Sequence, residues 1–438
     1  MAAELDGDLG VDVLIIGAGI QGLYLARSLQ KQYSVCLLAD PHTPSETADS
    51  AGYFSAGYTG NDVARIQPAR RASGYWKLWA ESNGVPHDLT EAYAVIPADE
   101  AGGRARLWAD AQLGARATTD LPPVFAGGSL EGQAAYLTEH DVVVNPTDLL
   151  AELRRGLEDR IIVGEVLKFG LVTDRAIDFV EVQLPDERVL PITPRYVVAV
   201  ANVANGQLLQ RLVSGFHDRH ARQDAAELVR GCQAVRRVTT VVLRGAALPL
   251  VAGHFDDLTI AAHPGPEAGE VVWVVQAPVD DHQTVLGPED VRFEPALDVG
   301  LLRHVVHRLF SMSPELARLA PALQWGVYTA RKTEHPMMAV RDTTNVAQPA
   351  PARLETFGLQ GFVAAWPSHL AYAMIVGDVL AERVQQALGP RGDFSDGAQV
   401  ADVAGGATTG QVARWEQAGF AWHDWESFAA THDLDRPA

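Results

Sequence analysis

Three glycines near the start of the chain hold the plainest chemistry. Gly17, Gly19 and Gly22 follow one another as G-x-G-x-x-G, inside the run VDVLIIGAGIQG at 11–22. Gly17 allows a tight turn out of a strand. Gly19 has no side chain to keep a pyrophosphate from the backbone, and Gly22 lets a helix settle closely on that strand. Ile20 and Gln21 complete the motif, where free N–H groups and the partial positive charge of a helix start meet an anion. A dinucleotide site also needs an acid after the next strand to bind ribose hydroxyls. Asp40, 23 residues after Gly17, fits that place. Aligning on the strand instead puts Ala39 there, with Asp40 one step beyond.

The elements that must hold these residues are legible around them. The apolar run 13–16 is long enough for a buried parallel strand. A helix is expected at 23–30, with Leu25, Ala26 and Leu29 on one face, and a second strand at 35–38. A Ser/Gly-rich loop follows at 45–60, then a helix at about 69–82. Asn145-Pro146-Thr147-Asp148 reads as a helix start, running to about 157. Strands are expected at 161–167, 176–183, 189–191 and 196–201. From 231 the chain turns β-rich, with strands at 234–244, 258–262 and 270–276 and a helix at 295–310. A last apolar strand at 362–365 leads into a helix at about 371–388. The tail is polar and ends in a short helix expected to carry Trp415, Trp422 and Trp425.

The expected fold class is therefore α/β. A discontinuous nucleotide-binding domain is built from 1–90, 140–215 and 325–390. A β-rich, antiparallel substrate domain is inserted at 91–139 and 216–324, and 391–438 form a tail. Thirty-five basic against 55 acidic residues give a net charge of −20, which argues against nucleic acid or an anionic membrane as partner. Cys36 and Cys232 are too far apart in sequence to suggest a disulfide framework or a metal pattern. His217 and His220 lack a partner set, so no metal is expected. The N-terminus has no basic and apolar leader pattern and no apolar run approaches a membrane span, so the expected location is the cytoplasm.

This order of pieces resembles the FAD-dependent amine and amino-acid oxidases, the D-amino-acid oxidase, glycine oxidase and sarcosine oxidase family, over most of 11–390. Gly17-Ala18-Gly19-Ile20-Gln21-Gly22 carries the resemblance most strongly. Thr47-Ala48-Asp49-Ser50-Ala51-Gly52 is similar to the family's T-S-x-x-S-x-G segment beside the flavin. Asn145-Pro146 resembles its V-D-P turn. Val198-Ala199-Val200-Ala201-Asn202 resembles its V-V-x-A-x-G strand, with Asn202 in place of the glycine. Gly326-Val327-Tyr328-Thr329 resembles a C-x-Y-T segment whose Cys binds flavin covalently, and here Gly326 stands at that place. The family's G-x-G-G-x-G loop against the ring is replaced by Trp366-Pro367-Ser368-His369-Leu370, shorter and without glycine.

The resemblance implies a Rossmann-like FAD-binding domain of the glutathione-reductase type and non-covalent FAD. The implied cofactor contacts are Gly17, Gly19, Ile20, Gln21, Gly22, Asp40, Ser50, Ala51, Gly52, Val166, Ala201, Trp366 and Ser368, with Val166 placed against the adenine. The implied reaction is oxidation of an amine or amino acid to an imine by hydride transfer to flavin N5, with oxygen as acceptor. A dehydrogenase using another acceptor, a biosynthetic oxidase of an unusual amine and a flavin-retaining partner protein without turnover are the alternatives. Arg331 is the expected clamp for a substrate carboxylate, since guanidinium binds carboxylate through two parallel bonds. Tyr328 and His369 are the other catalytic candidates. An ordinary strand tyrosine, a surface arginine and a helix-start histidine are the structural alternatives for these three.

Overall fold

The computed structural model describes residues 9–43, 45–88, 91–277, 296–334, 352–367, 370–390, 400 and 411–434. Two eight-stranded sheets dominate, with a three-stranded sheet of Tyr53–Phe54, Val142–Val144 and His87–Asp88 beside them.

The first sheet runs Glu165–Val172, Ala176–Gln183, Val189–Ala199, Leu9–Ile16, Val35–Ala39 and Ile161–Val163 in spatial order. Leu9–Ile16 lies parallel to both neighbours. Its apolar run is continuous because both faces are covered. Val13 and Ile15 face the helices Ile20–Leu29 and Ala373–Leu388, while Leu14 and Ile16 face the opposite core. Phe362–Pro367 pairs in parallel with the end of Val189–Ala199, and Ala352–Glu355 pairs antiparallel beyond it. The last strand of the sequence thus completes the sheet that the first one centres.

The second sheet runs Gln324–Glu334, Ala234–Gly245, Val271–Gln276, Leu258–Pro264, Val251–Phe255, Glu91–Ile96, Ala134–Thr138 and Ala115–Thr118. Only the Val251–Phe255 and Glu91–Ile96 pair is parallel among these. Helix Val299–Met312 covers one face through Leu302, Val305 and Leu309, which meet Val241, Leu243 and Trp273. The other face brings Val238, Val242 and Ala330 against Ala51, Tyr53 and Val143. That packing seats the second sheet on the Ser/Gly loop, and the site lies along this seam.

Several expectations shift. Gln324–Glu334 pairs along its length with Ala234–Gly245, so this segment goes with the antiparallel sheet and not with the nucleotide-binding portion expected from 325. Helix Arg219–Arg230, expected in the inserted domain, packs Ala225 and Val229 into the core of the first sheet. The helix expected at 69–82 spans Val63–Asn83, capped by the Asp62 carboxylate, which accepts from Arg65 N. In the tail only Trp425 lies on helix Trp425–His432, because Asp424 caps it there. Trp415 sits in a short 3-10 turn and Trp422 precedes the helix.

Candidate active site

The dinucleotide cleft opens where Leu9–Ile16 ends. Gly17 has φ +121°, and a Cβ there would stand 2.6 Å from Val200 O. A Cβ on Gly22 would stand 1.8 Å from Gly17 O, so helix and turn touch backbone to backbone. Gly19 caps helix Ile20–Leu29 in extended conformation, and no acid lies in the first turn. The positive end of the helix therefore faces the cleft unneutralised. Gly17, Gly19, Ala39, Asp40, Val166 and Ala201 all line this cleft. Asp40 is held in place by His42 N and Thr43 Oγ1, each donating at 2.8 Å.

One element of this cleft carries no motif in the sequence. Helix Asn205–Ser214 lines it with Gln207, Leu208 and Arg211. The paired spacing of Leu208, Leu209, Leu212 and Val213 before Gly215 was the available signal. Arg211 donates to the Val166 carbonyl, and its other nitrogen pairs with Glu165 at 2.5 Å. The carbonyl expected to face the adenine is thus already engaged. Asn202 adopts φ +47°, a left-handed conformation that asparagine tolerates better than most side chains, which explains how it replaces the family's glycine.

A second cavity of about 440 Å³ adjoins the cleft, and Glu46 and Asn202 line both. Its volume suits a ring system with a small substrate. Ile20, Gln21, Ser50, Ala51 and Gly52 line it as expected, joined by Arg331. Gly52 has φ +66°, and a Cβ there would strike Val144 O at 2.1 Å. Ser50 Oγ donates to Thr47 O at 2.7 Å and so shapes the loop. Gln21 is 2% exposed, and its Nε2 donates to Ala373 O at 3.0 Å. Its Oε1 is buried with no partner among the described residues. An orphaned buried acceptor is costly unless a ligand N–H or O–H meets it. The sixteen-residue helix Ala373–Leu388 also begins at this cavity.

The walls differ in charge. Arg65, Arg331 and Lys332 supply cations, and Arg331 is only 7% exposed. Opposed to them in character are Ser55, His254 and Thr259. Ser55 Oγ lies 3.1 Å from His254 Nε2, and Thr259 Oγ1 lies 3.0 Å from Nδ1. Burial pushes His254 down to about 4, so its imidazole is neutral at pH 7. Behind this wall Asp141 accepts from Tyr53 Oη at 2.6 Å and Ala56 N at 2.7 Å, fixing the turn that presents Ser55. Burial raises Asp141 to about 6. Glu46, at the junction of the two cavities, accepts from Val203 N at 3.1 Å and from Thr333 N at 3.2 Å. Burial raises it to about 7, against the pull of these donors.

Two expected contacts change, and two more expected residues lie outside the described ones. Tyr328 is not among the described residues lining the cavity. It is buried, and its hydroxyl donates to Asp49 O at 3.0 Å, bracing the loop from behind. Tyr328 shares the seam face of its strand with Ala330, so its ring packs against the Ser/Gly loop. Trp366 does not cap a ring. It alternates with Ala365 onto the far core, 1% exposed, and its Nε1 donates to Gln233 Oε1 at 3.3 Å. Ser368 and His369 lie outside the described residues. Gly326 is packed under Phe420, whose ring would be 2.5 Å from a Cβ.

Fold and site define a two-sheet flavoprotein oxidoreductase with a dinucleotide cleft beside a larger cavity. The family model "DAO: FAD dependent oxidoreductase" matches residues 12–383, and the chain belongs to that family. Its cofactor is FAD. An FAD dependent oxidoreductase from Pseudomonas aeruginosa superposes with TM-score 0.60 at 21% identity, covering 89% of this chain and 94% of that one. L-amino acid deaminase from Proteus vulgaris gives 0.63 at 14% identity, over 91% and 99%. Glycine oxidase from Geobacillus kaustophilus gives 0.62 at 13% identity, over 88% and 96%. These identities establish the fold. A search of curated proteins returned no match.

The residues present fit FAD. The glycine turn would admit a pyrophosphate, Asp40 would meet the ribose, and the buried Gln21 Oε1 would accept from the flavin side.

Proposed function

We propose that the protein oxidises the C–N bond of an amine or amino acid to an imine, with oxygen as electron acceptor and hydrogen peroxide as second product. FAD, held non-covalently, would supply the redox step by taking a hydride at N5 and passing the electron pair to oxygen. The observation that carries this reading is the larger cavity, which adjoins the dinucleotide cleft and is lined by buried Arg331 and by a neutral histidine.

Arg331 would clamp a substrate carboxylate through paired bonds. Arg331 and Lys332 disfavour an ammonium nearby, against the pull of Asp49 and Glu46 in the same lining, and an amine beside the two cations gives up its proton more readily. His254, kept neutral, leaves that balance to the cationic wall. Ser55, positioned by His254, offers a hydroxyl to the polar end of the substrate.

The test is an absorbance spectrum of the purified protein followed by anaerobic titration with a panel of amines and amino acids. A substrate should bleach the flavin bands, and admitting air should restore them with one peroxide per turnover. Failure of every amine to bleach the flavin would overturn the reading. Bleaching without peroxide on reoxidation would replace oxygen by another acceptor.

A further inference from the structure

The segment Gln411–Glu416 lies beyond residue 383, where the family match ends, yet its first residue lines the dinucleotide cleft. Gln411 lines that cleft together with Gly19, Asp40 and Ala201, and its Oε1 accepts from Ser45 Oγ at 3.1 Å. Ala413 N donates to Thr147 Oγ1 at 2.8 Å, and Arg414 N donates to Ala48 O at 2.9 Å. The Glu416 carboxylate accepts from Asn145 Nδ2 at 2.6 Å and from Thr147 Oγ1 at 2.5 Å. One short strip thereby ties the Ser/Gly loop to the start of helix Pro146–Arg154. The strip is itself anchored. Ala413 is fully buried, and Trp415 packs on His263, whose Nε2 lies 2.9 Å from Ala51 O in the same loop.

We infer that residues 411–416 are a clasp belonging to the FAD site, added by this chain outside the family's common core. Gln411 faces the cofactor with its amide, an acceptor to Ser45 and a donor to a ribose or phosphate oxygen. The backbone and Glu416 bonds hold the loop against the cofactor from outside. FAD leaves only after these bonds break, so the clasp sets its residence time. A tail that merely finished the fold would contribute equally to apoprotein and holoprotein. A clasp acts on the difference between them.

The experiment measures FAD dissociation from holoprotein by recovery of flavin fluorescence after dilution, in Gln411→Ala, Glu416→Gln and the double variant. One lost hydrogen bond corresponds to roughly a fivefold faster dissociation, and the double variant should exceed either single one. The melting temperature of the apoproteins should stay at the parent value. Should Glu416→Gln lower it, the partly exposed Gln411→Ala still decides. Amide exchange at Ala413 and Arg414 should slow when FAD is added to apoprotein. Dissociation within about twofold of the parent in Gln411→Ala, or exchange at these amides that ignores FAD, would overturn the clasp. These readouts involve no amine, so they stand whichever substrate the enzyme takes.

Discussion

The dinucleotide cleft and the larger cavity share Glu46 and Asn202 but are built by opposite means. The cleft is made largely of backbone: a strained glycine, a helix start, and carbonyls and amides in contact with Val200 and Gly22. The cavity is made of side chains delivered by distant segments, with Arg65, His254 and Arg331 each on a different element. Backbone geometry tolerates almost no substitution, whereas a side-chain wall can be exchanged one function at a time. The cleft is therefore the fixed part of this enzyme and the cavity the adjustable part.

The sharpest way to break that contrast is Gly22→Ala. With Gly17 O only 1.8 Å from the added methyl, FAD affinity should fall by about a hundredfold or more, read by flavin content after gel filtration. A variant that keeps full FAD would show that the cleft is no more rigid than the cavity. Arg331→Met should instead spare flavin content and raise KM about tenfold to a hundredfold for substrates with a carboxylate, leaving simple amines unaffected. Equal losses on both substrate types would remove Arg331 from the clamp.

The shared residue gives a pH test. Glu46 titrates near 7 in the fold and near 4.5 when unfolded, so the fold binds its proton more tightly. It therefore costs stability as pH rises through that window, and the cost is complete above it. Glu46→Gln should stabilise the fold at pH 8 by about 1–2 kcal/mol after allowance for partial exposure, read as a higher melting temperature, and have little effect at pH 4. A gain that is the same at both pH values would assign the effect to packing. His254 acts the other way: its lowered value adds stability at neutral pH that is lost as pH falls from 6.5 through 4. The smallest expected effect is Tyr328→Phe, which removes the bond to Asp49 O. It should lower stability by about 1 kcal/mol by thermal unfolding and leave turnover unchanged. A large loss of turnover would return Tyr328 to the reacting centre.

The same contrast decides what could be read from sequence. Gly17 to Gly22 announce the cleft because the backbone demands glycine at fixed spacing, and Asp40 follows from the length of one strand–helix–strand unit. The strand at 176–183 coincides with Ala176–Gln183, since β-branched alternation leaves little latitude. The cavity gave no such spacing. His254 and Ser55 meet across 199 positions of sequence, and nothing local in either marks the partner. Trp366 misled because a tryptophan near a flavin loop suggests stacking, while one step of strand alternation sends it to the opposite core. The clasp at 411–416 was read as a polar tail because its bonds are to Ser45, Ala48 and Thr147, far away in sequence.

The central strand Leu9–Ile16 has consequences for biogenesis. One neighbour, Val35–Ala39, follows within a few tens of residues, but the other, Val189–Ala199, leaves the ribosome much later. That neighbour in turn waits for Phe362–Pro367. At about 5–20 residues per second, the first strand stays half-paired for on the order of ten seconds or more. The dinucleotide cleft, lined by residues as far apart as Gly17 and Gln411, offers FAD no complete seat on a nascent chain. Cofactor loading must then follow translation, and the yield of active enzyme will depend on how well the cell shelters an unfinished parallel sheet.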